Sequence, residues 1–195
     1  MRIIAGLFRG RKLLPMKGLS VRPMTDRVRQ TVFDILTNRI DWEGRTVLDL
    51  FAGSGSLGIE ALSRGAAHVT CVDNSRSSLD VLHANIRAIG CADNVHVHQA
   101  DVFWYLKHVK VGFDVIFVDP PYQLESIGEL PARIARSSAA GIGTHVVMEH
   151  GRDTAVDVPE HLFETIRKQF GQTTVLIMKV ISKPGAEKET EISQL

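Results

Sequence analysis

The chain has 195 residues, 44% of them hydrophobic and 23% charged, which suits one globular domain with a sizeable core. No apolar run approaches the roughly 18 residues that cross a membrane, and the basic start MRIIAGLFRGRKL lacks the apolar centre of a signal peptide, so the reading is cytoplasmic. The net charge of +1 hides a polarity: residues 1–29 hold eight Arg and Lys against one acid, Asp26, and the remainder holds 15 bases against 21 acids. A basic arm on a mildly acidic body suits a polyanionic partner; a fortuitously basic, solvated terminus is the plainer alternative.

Residues 1–23 carry two short apolar patches, RIIAGLF and KLLP, broken by Gly10, Pro15, Gly18 and Pro23. They read as short strands or an extended arm. Thr25 or Asp26 can cap a helix running to about Arg39, with Val28, Val32, Ile35 and Leu36 on its apolar face and Arg27, Arg29 and Gln30 mostly off it. Residues 1–40 therefore form a basic extension, residues 41–181 the main domain, and residues 182–195 a polar tail.

From Thr46 the pattern alternates. TVLDLF (46–51) is a strand, followed by a glycine turn and a helix over 56–64. HVTCVD (68–73) is a strand, followed by a helix over about 75–89. VHVHQAD (95–101) and a short helix over 102–108 come next, then the strand FDVIFVD (113–119) and a helix within 124–139, started or interrupted near Pro131. THVVMEH (144–150) is a fifth strand. FETIRKQF and TTVLIMKVI, joined by Gly-Gln, read as an antiparallel hairpin closing one edge. This βα alternation predicts an α/β fold with a mostly parallel sheet and helices on both faces.

Ligands of such sheets sit beyond the carboxyl ends of the strands. Asp73, Asp101 and Asp119 end three of them, and Asp49 lies inside the first. The first strand runs into GSGSLG, with Gly53, Gly55 and Gly58. Small residues there let a ligand approach the backbone, and the following helix aims free N–H groups at it. Asp73 is placed to accept from a ribose diol, as well as being a turn former. An adenosine-containing cofactor follows. Asp49 chooses among such cofactors: a carboxylate beside the loop repels a pyrophosphate but suits the ammonium and sulfonium of S-adenosylmethionine. Asp101 suits either an adenine amino group or the N-cap of the helix over 102–108, or both.

The fourth strand ends in Asp-Pro-Pro-Tyr. An exocyclic amine or amide nitrogen attacks poorly because its lone pair is delocalised. Acceptors for both of its N–H groups localise that pair toward a methyl donor. Asp119 supplies one acceptor and the Pro120 carbonyl the other, held by proline stiffness. Tyr122 offers a face on which an unstacked base can rest. An ordinary turn after a strand is the plain alternative.

DPPY together with DLFAGSG resembles the amino-methyltransferases of nucleic acids, which have the class I Rossmann-like fold. The segments RIIAGLFRGRKL, RPMTDRVRQTVFDIL, FAGSGSLGIEALSRGA and VIFVDPPY, in this order, resemble the bacterial 16S ribosomal RNA guanine-N2 methyltransferase family over residues 2–181. The resemblance implies methyl transfer from S-adenosyl-L-methionine to the N2 amine of a guanine, numbered 966 in that RNA. It implies a cofactor site from Thr25, Arg27, Asp49, Phe51, Gly53, Gly55, Asp73, Asp101 and Val102, with Thr25 and Arg27 facing the methionine carboxylate. Asp119, Pro120 and Tyr122 would hold the guanine, and Arg2, Arg9, Arg11 and Lys12 would grip RNA phosphates. The implied partner is 16S ribosomal RNA in a small-subunit particle, met by a monomer without metal or membrane. The segment after the fifth strand reads EHGRDT, where a more acidic run is expected of the family.

Other readings differ in what they explain. A DNA adenine or cytosine amino-methyltransferase uses the same tetrad but usually adds a target-recognition domain, for which little chain is left. A protein glutamine methyltransferase carries Asn where Asp119 stands. A nicotinamide dehydrogenase fits the glycine loop and leaves the tetrad unexplained, and a silent RNA-binding module would transfer no methyl. His96 and His98 alternate along a strand without metal-ligand spacing, and Cys71 and Cys91 need no disulfide.

Overall fold

The computed structural model describes residues 1–16, 24–121 and 124–184. The expected polar tail lies outside them from residue 185 onward. Seven strands form one sheet: β1 (Thr46–Leu50), β2 (His68–Asp73), β3 (Val95–Gln99), β4 (Phe113–Val118), β5 (Ala140–Gly151), β6 (Phe163–Phe170) and β7 (Thr173–Val180). Their order is β3-β2-β1-β4-β5-β7-β6. The first five strands pair in parallel and β7 runs antiparallel between β5 and β6. This is the mostly parallel α/β sheet with a closing hairpin expected from the alternation, and the class I methyltransferase architecture that the resemblance implies.

Among the described residues, five helices cover the sheet: α1 (Asp26–Thr37), α2 (Ser56–Ser63), α3 (Arg76–Ile89), α4 (Val102–His108) and α5 (Leu130–Arg136). One apolar layer joins Val28, Val32, Leu36, Leu57 and Leu82 to Val47, Val115, Phe117 and Val147. The other joins Val102, Leu106, Leu130 and Ile134 to Leu48, Ile116, Val118 and Met148. Burying each large side chain contributes about 1.5–3 kcal/mol, so both faces of the central strands are strongly fixed.

The elements depart from their predicted extents for identifiable reasons. Thr25, not Asp26, caps α1; its hydroxyl accepts from Val28 N–H at 3.3 Å. Arg29, expected mostly off the apolar face, is fully buried. Its guanidinium donates to the Arg2 carbonyl at 2.5 Å and to Asp26 at 3.0 Å, because the N-terminal arm covers it. β3 ends at Gln99, and Asp101, expected at the strand's end, is instead the N-cap of α4. The helix expected within 124–139 splits into a 3-10 turn over Glu125–Glu129 and α5, with Pro131 in the first turn where no donor is lost. β5 starts four residues early, at Ala140, through a register shift opposite Phe113–Val115 that Thr144 holds by accepting from Gly141 N–H and donating to the Phe113 carbonyl.

The arm is a narrow hairpin lying on α2 and α3. Arg2 bridges Lys12, Ile3 N–H donates to the Arg11 carbonyl at 3.0 Å, and Gly10 N–H to the Ile3 carbonyl at 2.9 Å. Glu60, fully buried on α2, accepts from Ile4 N–H at 2.7 Å, Ala5 N–H at 3.1 Å and Arg64 Nε at 2.9 Å. Gly6 is obligatory at the hairpin tip: its φ is +79° and a Cβ there would lie 1.6 Å from the Ser63 carbonyl oxygen. Fully buried Asn85 on α3 accepts from Leu14 N–H at 2.7 Å, and its amide donates to the Leu14 carbonyl at 3.1 Å and the Ser54 carbonyl at 2.9 Å.

Candidate active site

The glycine loop starts where β1 stops. Phe51 is left-handed at φ +59°, a costly conformation for an aromatic residue, and it sits at the mouth of the site. Gly53 and Gly55 follow at φ +54° and +77°, and Gly55 N–H closes the turn onto the Ala52 carbonyl at 2.7 Å. Gly58 lets α2 press on the sheet: a Cβ there would meet Val69 Cγ1 at 2.7 Å and Asp49 Oδ2 at 3.2 Å. That approach brings Gly58 N–H within 3.0 Å of Asp49 Oδ2.

Three carboxylates gather at this edge. Burial drives the Asp49 carboxyl well above the usual range; the Gly58 amide opposes the shift, and the charges of Asp119 and Asp73 add to it. Asp73 accepts Gly53 N–H on one oxygen and Ser75 N–H on the other, both at 2.8 Å, so the acid at the end of β2 holds the loop from below. Burial pushes Asp119 up to about 6, against a hydrogen bond from the Met24 amide. Asp119 N–H lies 3.5 Å from the Leu50 carbonyl, which keeps the corner beside the end of β1. An edge that gathers three acids is the electrostatic complement of a small cation.

Asp101 caps α4, accepting from Trp104 N–H at 2.8 Å, and Val102 behind it is buried. Pro120 is buried and Pro121 exposed, with the Pro121 carbonyl accepting from Leu124 N–H at 3.0 Å. Tyr122 lies outside the described residues. Thr25 spends its hydroxyl on the α1 cap, and Thr25 and Arg27 line a cleft of about 1000 Å³ shared with Glu149, Arg152, Phe170 and Gln172.

Two of the four arm bases, Arg9 and Arg11, lie away from this edge. Arg11 donates to the Ile89 carbonyl at 2.7 Å and to the Ala88 carbonyl, which fixes it to the carboxyl end of α3. α3 runs back from the end of β2, so Arg11 and its neighbour Arg9 sit near the opposite, amino-terminal edge of the sheet. Arg2, Arg9 and Lys12 are exposed. Three contributors were not singled out from the sequence: the Met24 amide, Asn85 and Glu149. Asn85 left a signal, because it stands on the apolar stripe of α3 between Leu82 and Ile86.

The family described as Conserved hypothetical protein 95 has a model that matches residues 1–179. The chain belongs to that family. Among similar sequences, "Putative rRNA methyltransferase YlbH" of Bacillus subtilis is 35% identical over 185 residues, covering 92% of this chain and 98% of its own. "Ribosomal RNA small subunit methyltransferase D" of Haemophilus influenzae is 34% identical over 163 residues, covering 82% and 83%. A solved structure, "Putative methyltransferase yhhF" from Escherichia coli, superposes with a TM-score of 0.81 at 31% identity, covering 94% of this chain and 99% of that one. The family match takes in the arm as well as the sheet, so the hairpin on α2 and α3 is part of what is shared.

Proposed function

We propose that the protein transfers a methyl group from S-adenosylmethionine to the exocyclic N2 amine of a guanine in small-subunit ribosomal RNA. The observation that carries this reading is the juxtaposition of a glycine loop held by Asp73 with the buried acid Asp49 and the half-buried acid Asp119.

The residues present fit the cofactor. Gly53 and Gly55 expose backbone at the start of α2, Asp73 retains lone pairs for a ribose diol beyond its two backbone bonds, and Asp49 and Asp119 favour a cation. When bound, the group supplies an electrophilic methyl on a sulfonium. Asp119 then accepts one N–H of the target amine, and the Pro120 carbonyl accepts the other. Together they turn the nitrogen lone pair out of the ring plane. As positive charge grows on that nitrogen, the Asp119 carboxylate stabilises it and can take up the departing proton, for which a group titrating near 6 is well matched. Tyr122 supports the base by stacking. Arg2, Arg9 and Lys12 contact phosphates of a ribosomal particle in the cytoplasm, and the enzyme acts as a monomer.

The test is labelled-methyl transfer to small-subunit particles from a strain lacking this protein, followed by nucleotide mapping. Label on a single guanine N2 is expected. Label in DNA, in another base, or nowhere overturns the reading.

A further inference from the structure

Glu149 has no part in the chemistry so far, yet its position is distinctive. β4 and β5 run in parallel, and their last paired residues are Val118 and Met148. The next residues, Asp119 and Glu149, therefore stand side by side at the carboxyl ends of neighbouring strands, about 4.8 Å apart by strand spacing. Alternation places them on one face, since Val115, Phe117 and Val147 all enter the apolar layer beneath α1. Glu149 is only 4% exposed and lines the cleft that opens between α1 and the β6–β7 turn, with Arg27, Arg152 and Phe170 around it. A buried acid in a cleft of nucleotide size, next to the acid that handles an amine, calls for an explanation in terms of the substrate.

One carboxylate in the tetrad cannot tell one exocyclic amine from another. Guanine presents two donors side by side, N1–H and the N2 amine. Adenine and cytosine set their amine beside a ring nitrogen with a bare lone pair. We propose that Glu149 reads the target base, its carboxylate accepting from guanine N1–H while Asp119 accepts from the adjacent N2 amine. Two acids side by side match the donor–donor edge of guanine and set a charge against the ring lone pair of adenine or cytosine. A carboxylate has about four lone-pair sites, so this role is compatible with other contacts Glu149 makes within the protein. The inference rests on the guanine-N2 reading above and adds the residue that makes the site guanine-selective.

The experiment compares reconstituted small-subunit particles carrying guanine or 2,6-diaminopurine at the mapped position. Diaminopurine keeps the N2 amine but offers a lone pair at N1. Wild-type protein should prefer guanine by about 10- to 100-fold in kcat/KM, the discrimination typical of a well-placed polar pair. Glu149→Gln should lose about tenfold on guanine and narrow the preference to a few-fold, because a carboxamide can donate to the diaminopurine N1. Its cofactor affinity should stay at the wild-type value. An unchanged preference in Glu149→Gln, with the wild type active on guanine N2, overturns this proposal and leaves the reaction assignment standing. If Glu149→Gln does not fold, the wild type alone decides: equal use of guanine and diaminopurine overturns the proposal, and a strong preference supports it. A wild type that labels no guanine N2 overturns the reaction assignment, and this proposal with it.

Discussion

Asp119→Asn should make the protein more stable and less active at once. The Asp119 carboxyl titrates near 6 in the folded chain, against 3.8 ordinarily. Its folded value is raised, so between about pH 4 and pH 6 the folded state keeps a proton that the unfolded chain has released. Stability attributable to this group is therefore present at low pH and is lost as pH rises through that window. By pH 7.5 the shift of about two units corresponds to about 3 kcal/mol, which the residue's partial exposure trims to about 2 kcal/mol. An asparagine keeps an oxygen for the Met24 amide and carries no charge. Calorimetry of Asp119→Asn should therefore show a gain of about 2 kcal/mol at pH 7.5, or roughly 4–8 °C in Tm for a chain of this size, and almost none at pH 4. Methyl transfer should fall by about 100-fold, as for the loss of one preorganised polar contact. Wild-type activity should fall as pH drops through about 6, as the acceptor becomes protonated. A variant no more stable than wild type at pH 7.5, or a gain that persists at pH 4, refutes the reasoning.

Asp73→Ala removes the acceptor for Gly53 and Ser75 N–H as well as the proposed ribose contact, and should weaken cofactor affinity by about 10- to 150-fold; unchanged affinity in titration calorimetry sinks that role. Glu60→Ala leaves Ile4, Ala5 and Arg64 donors without their acceptor and should cost about 3 kcal/mol in urea unfolding, with faster exchange of the Ile4 and Ala5 amides. Wild-type exchange at those two amides would show that the arm is held by other means. Replacing Arg9 and Lys12 together by Ala should flatten the log–log salt dependence of particle binding by about 1.5–2 units and leave cofactor affinity unchanged. An unchanged slope moves the RNA footprint to the cleft around Arg27 and Arg152.

The sheet was legible because its central strands β1 and β4 are apolar runs with turn residues at their ends, and both of their faces are covered. The glycine loop and the Asp-Pro-Pro corner were legible as local chemistry, since each is written in consecutive residues. What escaped was long-range. Nothing around Glu60 marks it as the acceptor for amides 55 and 56 residues earlier. Arg29 looked solvated on a helical wheel because the wheel cannot show the arm that covers it. Charge marks Arg11 as a candidate phosphate ligand, and it could not reveal that its guanidinium also sits on the last carbonyls of α3. The Met24 amide was beyond reach for another reason: any residue has one, and only the fold aims it at Asp119.

The arm's hydrogen bonds also set an order of events during synthesis. Its partners lie well downstream: Ala5 waits 55 residues for Glu60, Leu14 waits 71 for Asn85, and Arg11 waits 78 for Ile89. At a translation rate of roughly 5–20 residues per second, that is about 3–16 s during which Ile3 and Leu13, both buried in the finished protein, lack the cover of α2 and α3. The first segment made thus docks only once α2 and α3 have been made. The same Asn85 amide that receives Leu14 also braces the Ser54 carbonyl of the glycine loop. A nascent chain therefore completes its glycine loop only after α3 has left the ribosome, and the arm closes onto α2 and α3 in the same step.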